Sequence, residues 1–98
     1  MDSIRIAEWR LNSSKKMLNM ARSLNSPFLK DYEDTYKKYL HNYNIVLAYN
    51  KAFNDLMKWE QLVRTGKFTK SPFLKLYKKR LREQTILVTE LENKFIRF

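Results

Sequence analysis

The chain has 98 residues, with 20 Lys and Arg against 10 Asp and Glu, for a formal net charge of +10. It lacks cysteine, which excludes a disulfide scaffold, thiolate metal sites and cysteine catalysis. One glycine and two prolines leave too few turn residues for hairpins and sheets, so the expected fold is all-α, in a single domain over residues 1–98.

Helix 1 is predicted over about residues 3–24, where Ile4, Ala7, Leu11, Leu18 and Ala21 fall on one helical seam with Met17 and Leu24 beside it. The phrase Ser26-Pro27-Phe28-Leu29-Lys30 recurs as Ser71-Pro72-Phe73-Leu74-Lys75, each time followed by Tyr32 or Tyr77 two residues on. Serine followed by proline is a helix-start device, because the serine oxygen accepts from a free N–H and proline has none to satisfy. A duplicated helical hairpin is the sharper reading, but identity falls away after the tyrosines.

Helix 2 is predicted over about residues 27–65, closed by Gly66 in a left-handed stop position. Leu29, Tyr32, Tyr36, Tyr39, Tyr43, Val46, Asn50, Phe53 and Met57 keep one three-and-four spacing, which argues for a single helix. Helix 3 is predicted over about residues 72–96, with Leu74, Tyr77, Leu81, Val88, Leu91 and Phe95 on its seam. Short connections make successive helices antiparallel, giving an elongated three-helix bundle with a long central helix. The alternative is a four-helix bundle, if the asparagines near residues 41–44 break helix 2.

Charge is concentrated rather than spread. Residues 61–82 hold eight basic side chains and no acidic one. Lys75, Lys78, Lys79 and Arg82 recur at i, i+3, i+4 and i+7 and so form one stripe on helix 3. Cations near a helix N-terminus oppose its dipole. Helices 1 and 2 show the favourable order, opening on Asp2 and Glu8 and on Asp31, Glu33 and Asp34. A site that breaks a local rule is a candidate functional site. Arg64, Lys67, Lys70, Lys75, Lys78, Lys79 and Arg82 are therefore the expected anion-binding residues, converging at the helix 2–helix 3 turn. Phe68 sits among them, where it either staples helix 3 or stacks on an unpaired base; its place just before the cap favours the staple.

Tyr32, Tyr36, Tyr39 and Tyr43 occupy successive seam positions. Each hydroxyl needs a partner, so beside ordinary core packing the row is a candidate protein interface, with a second copy or another chain. Segregated charge also permits head-to-tail self-association.

Other chemistry finds little footing. His41 is the sole histidine, so neither a metal site nor a catalytic constellation is expected, and one glycine excludes phosphate-cradling loops. No enzyme activity, cofactor or metal is anticipated. The longest uninterrupted apolar run, residues 45–49, is far short of the roughly 18–20 residues of a transmembrane helix. The first residues lack a secretory signal pattern, and Asp2 and Glu8 count against a mitochondrial leader, so an intracellular, cytoplasmic or nucleoid-associated location is expected ahead of a mitochondrial one.

Helix-turn-helix, zinc-finger, RNP and GXXG signatures are missing from the sequence. The expected function is a non-enzymatic binding protein whose basic end engages nucleic acid or a nucleoprotein, mainly through phosphates. The alternative is a protein–protein adaptor, inhibitor or assembly subunit, such as a viral or mobile-element accessory protein, that binds an acidic protein surface.

Overall fold

The computed structural model describes residues 1–97. Among them lie three helices and no strand: α1 (Ile4–Ser23), α2 (Leu29–Thr69) and α3 (Leu74–Lys94). The protein is all-α, and α2 runs through residues 41–44 without interruption, which rules out the four-helix arrangement.

The residues group into two compact units. The first is Met1–Leu47 with residues 95–97, and the second is Ala48–Lys94. In the first, α1 runs antiparallel to the opening half of α2, and Arg22 reaches Glu33 at 3.8 Å. Its interior is Ala7, Ser14, Leu18, Ala21, Asn42 and Val46. In the second, the closing half of α2 runs antiparallel to α3 around Ala52, Val63, Val88, Leu91 and the buried Gly66. Small side chains at Ala7, Ala21, Ala52 and Gly66 let the paired helices approach closely; a Cβ on Gly66 would already stand 3.3 Å from Leu74 Cδ1.

The two turns use one device twice. Asn25 (φ 48) and Lys70 (φ 54) take the left-handed conformation. The next N–H closes back on the preceding helix, Ser26 to Ala21 O (2.9 Å) and Ser71 to Gly66 O (2.9 Å), as in a Schellman stop. Each serine oxygen then accepts from the N–H of the coming helix, Phe28 (3.1 Å) and Phe73 (3.2 Å). The likeness extends well beyond the repeated phrase. At the same sequence spacing, Ala7 matches Ala52, Leu18 matches Val63, Ala21 matches Gly66 and Val46 matches Leu91, all of them buried. The interior of one hairpin recurs in the other.

Three expectations are corrected. Gly66 does not stop α2; it is helical and buried, and Lys70 takes the left-handed position. The α2 seam does not continue through Asn50, Phe53 and Met57, which are exposed. Ala52, Leu56, Trp59, Val63 and Gly66 take the inner positions instead, because this half of α2 packs on α3 and its register answers to that helix. Finally, α1 has no acidic residue in its first turn, where Arg5 stands; Asp2 precedes the Ser3 cap and pairs with Arg10 at 3.0 Å.

Each unit has a polar fastening of its own. Asn42, buried in α2, donates from Nδ2 to Ile96 O (2.8 Å), and Ile96 N–H donates to Asn42 Oδ1 (2.8 Å). This bidentate clamp holds the chain after α3, and the asparagines near residue 42 serve it rather than breaking the helix. Asn42→Ala is expected to destabilise the first unit by about 1–3 kcal/mol, read as a lower urea midpoint. In the second unit, Tyr49 Oη donates to Glu92 Oε1 (3.1 Å). Burial first, and then the bond to Glu92 and its charge, hold the Tyr49 pKa above its ordinary value of 10.0. The folded chain therefore keeps this proton to higher pH than the unfolded chain does. The resulting stability is complete below about pH 10 and fades as pH rises through the folded value. Tyr49→Phe should flatten that alkaline loss in urea titrations above pH 10.

Candidate nucleic-acid interface

The α2–α3 turn gathers the basic residues within the second unit. Lys67 lies in the last turn of α2, Lys70 is the left-handed residue, and Lys75, Lys78, Lys79 and Arg82 follow on α3. All six are exposed. Leu74, Tyr77 and Leu81 take the half-buried side of α3, which leaves the cationic stripe facing away from the α2 contact. No carboxylate among the described residues pairs with any of the six.

Arg64 differs from them. It pairs with Glu60, one helical turn back, although its side chain stays largely exposed. The i, i+4 spacing of Glu60 and Arg64 is the sequence signal for that pairing. Arg80 is likewise held, by Glu83 at 3.2 Å.

The matching helix start in the first unit acts as an internal control. There α2 opens with Asp31, Glu33 and Asp34, as a helix dipole favours. On α3 the positions equivalent to Glu33 and Asp34 are Lys78 and Lys79. At Lys78 and Lys79 the second unit thus carries bases where the first carries acids, while Lys67, Lys75 and Arg82 match the basic Arg22, Lys30 and Lys37. The left-handed residue follows suit: Asn25 suits that conformation, whereas Lys70 is strained in it. The missing acids in the first turn of α1 show that the reversal on α3 is not unique in kind, but α3 has five cations before its first acid, Glu83.

Two aromatic rings complete the site. Phe68 is 91% exposed, so it does not staple α3 as its position favoured. Phe73 is 59% exposed, with its ring 6.4 Å from that of Tyr77, which in turn lies 6.2 Å from Trp59. The sequence shows that Phe68 sits among cations; its exposure depends on how the turn closes.

The tyrosine row lies in the first unit. Tyr32, Tyr36, Tyr39 and Tyr43 are all half-buried on the α1-facing side of α2, and Tyr32 and Tyr39 also line a groove beside α1. Among the described residues no cluster of His, Asp and Glu can hold a metal ion, and no helix is long and apolar enough to cross a membrane. Set against models of known families, curated proteins and solved structures, the chain matches none.

Strain at the turn is open to direct measurement. Lys70→Gly should stabilise the protein by about 1 kcal/mol, while Asn25→Gly should change it far less. Paired urea midpoints check both.

Proposed function

We propose that this protein binds nucleic acid through the α2–α3 turn, with Lys67, Lys70, Lys75, Lys78, Lys79 and Arg82 contacting phosphates and Phe68 stacking on an unpaired base. The observation that carries the reading is the replacement of the acids that open α2 by uncompensated lysines at the equivalent positions of α3. Exposed cations interleaved with exposed aromatic rings are the equipment of a single-strand binder, since a backbone supplies charge and every base supplies a stacking face. Binding of this kind is weakly dependent on sequence. It implies an intracellular site of action, cytoplasmic or nucleoid-associated. An acidic protein surface would engage the same cations without needing Phe68, so that ring separates the two readings.

Binding to mixed-sequence single strands and duplex across a salt series tests the proposal. Six phosphate contacts give a log–log slope of about −4 on single strands and about −5 on duplex. Lys75→Glu/Lys78→Glu/Lys79→Glu should abolish binding with helicity unchanged, and Phe68→Ala should weaken single-strand binding about tenfold while sparing duplex. Equal affinity of wild type and triple variant at low salt would reject the proposal.

A further inference from the structure

The recurrence of one hairpin interior in two units allows position-by-position comparison of their outer surfaces. In the second unit Trp59 is half-buried, and its indole lies against Tyr77, the rings 6.2 Å apart. In the first unit the position matching Trp59 is Ser14, and the tyrosine matching Tyr77 is Tyr32. Ser14 is buried, and its Oγ donates to Leu11 O at 2.8 Å within its own helix. Beside it lies a groove of about 280 Å³, lined by Trp9, Ser14 and Met17 from α1 and by Tyr32, Thr35 and Tyr39 from α2.

On one stripe the α1 surface differs in the same sense, whereas Phe53, Met57 and Phe68, exposed on the closing half of α2, match the polar Glu8, Asn12 and Ser23. Ile6, Trp9, Met17, Met20 and Leu24 are all exposed, Trp9 at 68% and Leu24 at 75%. Their counterparts on the closing half of α2 are Lys51, Asn54, Leu62, Thr65 and Thr69, four of the five polar. Two hairpins with equivalent interiors need equivalent residues inside, not outside. The fold of the hairpin therefore leaves the apolar outer side of α1 unexplained.

We infer that this face is a self-association surface, on which a second copy of the chain docks with its Trp9 in the Ser14 groove. Two observations select a second copy as the occupant. Trp9 is an exposed indole on the rim of a groove whose counterpart in the other unit is filled by an indole, and because ring and groove share one face, a two-fold contact offers each copy's ring to the other's groove. The only charged side chain lining the groove is Arg10, already paired with Asp2, so copies meet there without bare like charges, and an acidic partner finds no free cation there.

This inference is independent of nucleic-acid binding, and salt separates the two. Contact between positively charged copies through apolar surface tightens as salt screens their repulsion, whereas binding to phosphates weakens. Sedimentation velocity over a concentration series should give twice the chain mass, with tighter association at higher salt. Ser14→Trp fills each groove from within, and should raise the dissociation constant about thirty-fold with helicity retained. Trp9→Ser, on the surface, should do the same and serves if Ser14→Trp misfolds. The Lys75→Glu/Lys78→Glu/Lys79→Glu variant should still associate. A chain that stays monomeric at millimolar concentration, or a dimer indifferent to both Trp9→Ser and Ser14→Trp, overturns the inference.

Discussion

Close contact between paired helices, at positions where one side chain is nearly absent, is the constraint on which the rest of the structure depends. Ala7 and Ala21 in the first unit, and Ala52 and Gly66 in the second, bring helix backbones together where larger residues would hold them apart. A helix pair has only one seam, so close approach leaves each unit a narrow interior. Among the described residues Val46 is the most completely buried, and Leu18 and Leu91 are the largest side chains of the interior. Apart from Leu18 and Leu91, the larger apolar residues are left at the rims, half-covered or bare. Polar fastenings such as the Asn42 clamp and the Tyr49–Glu92 bond therefore matter more here than they would around a thick core.

The electrostatics follow from the turns. A Schellman stop followed by a serine cap folds the chain back within a few residues, so cations distant in helical order gather at one turn. In the first unit that architecture carries Asn25 and acids, the combination local energetics favour. In the second it carries Lys70 and lysines, which costs conformational strain at one residue and dipole energy at several. Both penalties fall on the same turn. An anion bound there would offset the dipole term, and binding to phosphate is the simplest physical reason for a sequence to keep both.

What the sequence disclosed was whatever is decided locally. Both helix starts were legible, because Ser-Pro capping involves neighbours in the chain, and the seam of α3 was legible because one partner helix covers it. The change of register after Val46 was hidden: Asn50, Phe53 and Met57 fit a helical spacing as well as Ala52, Leu56 and Trp59 do, and only the packing partner decides between them. Gly66 misled for a related reason, since glycine serves both to end helices and to let them touch. The Asn42 clamp joins residues far apart in the chain, which no local pattern reveals. The basic residues of the site were readable, because charged side chains lie outside in almost any fold; the exposure of Phe68 was not, because it rests on the geometry of the turn.

Comparison of the two units separates what the fold requires from what it merely permits. Positions that agree across them, such as Leu18 with Val63 or Val46 with Leu91, are interior and answer to helix packing. Positions that disagree are free of that demand: Trp9 and Met20 on the outside of α1 match Asn54 and Thr65, Phe53 and Phe68 match Glu8 and Ser23, and Glu33 and Asp34 match Lys78 and Lys79. If copies associate through the first unit, each assembly carries two basic turns. Were the turn to bind phosphates as proposed, the second contact would become intramolecular, and affinity for a strand long enough to reach both turns would rise without any new residue there.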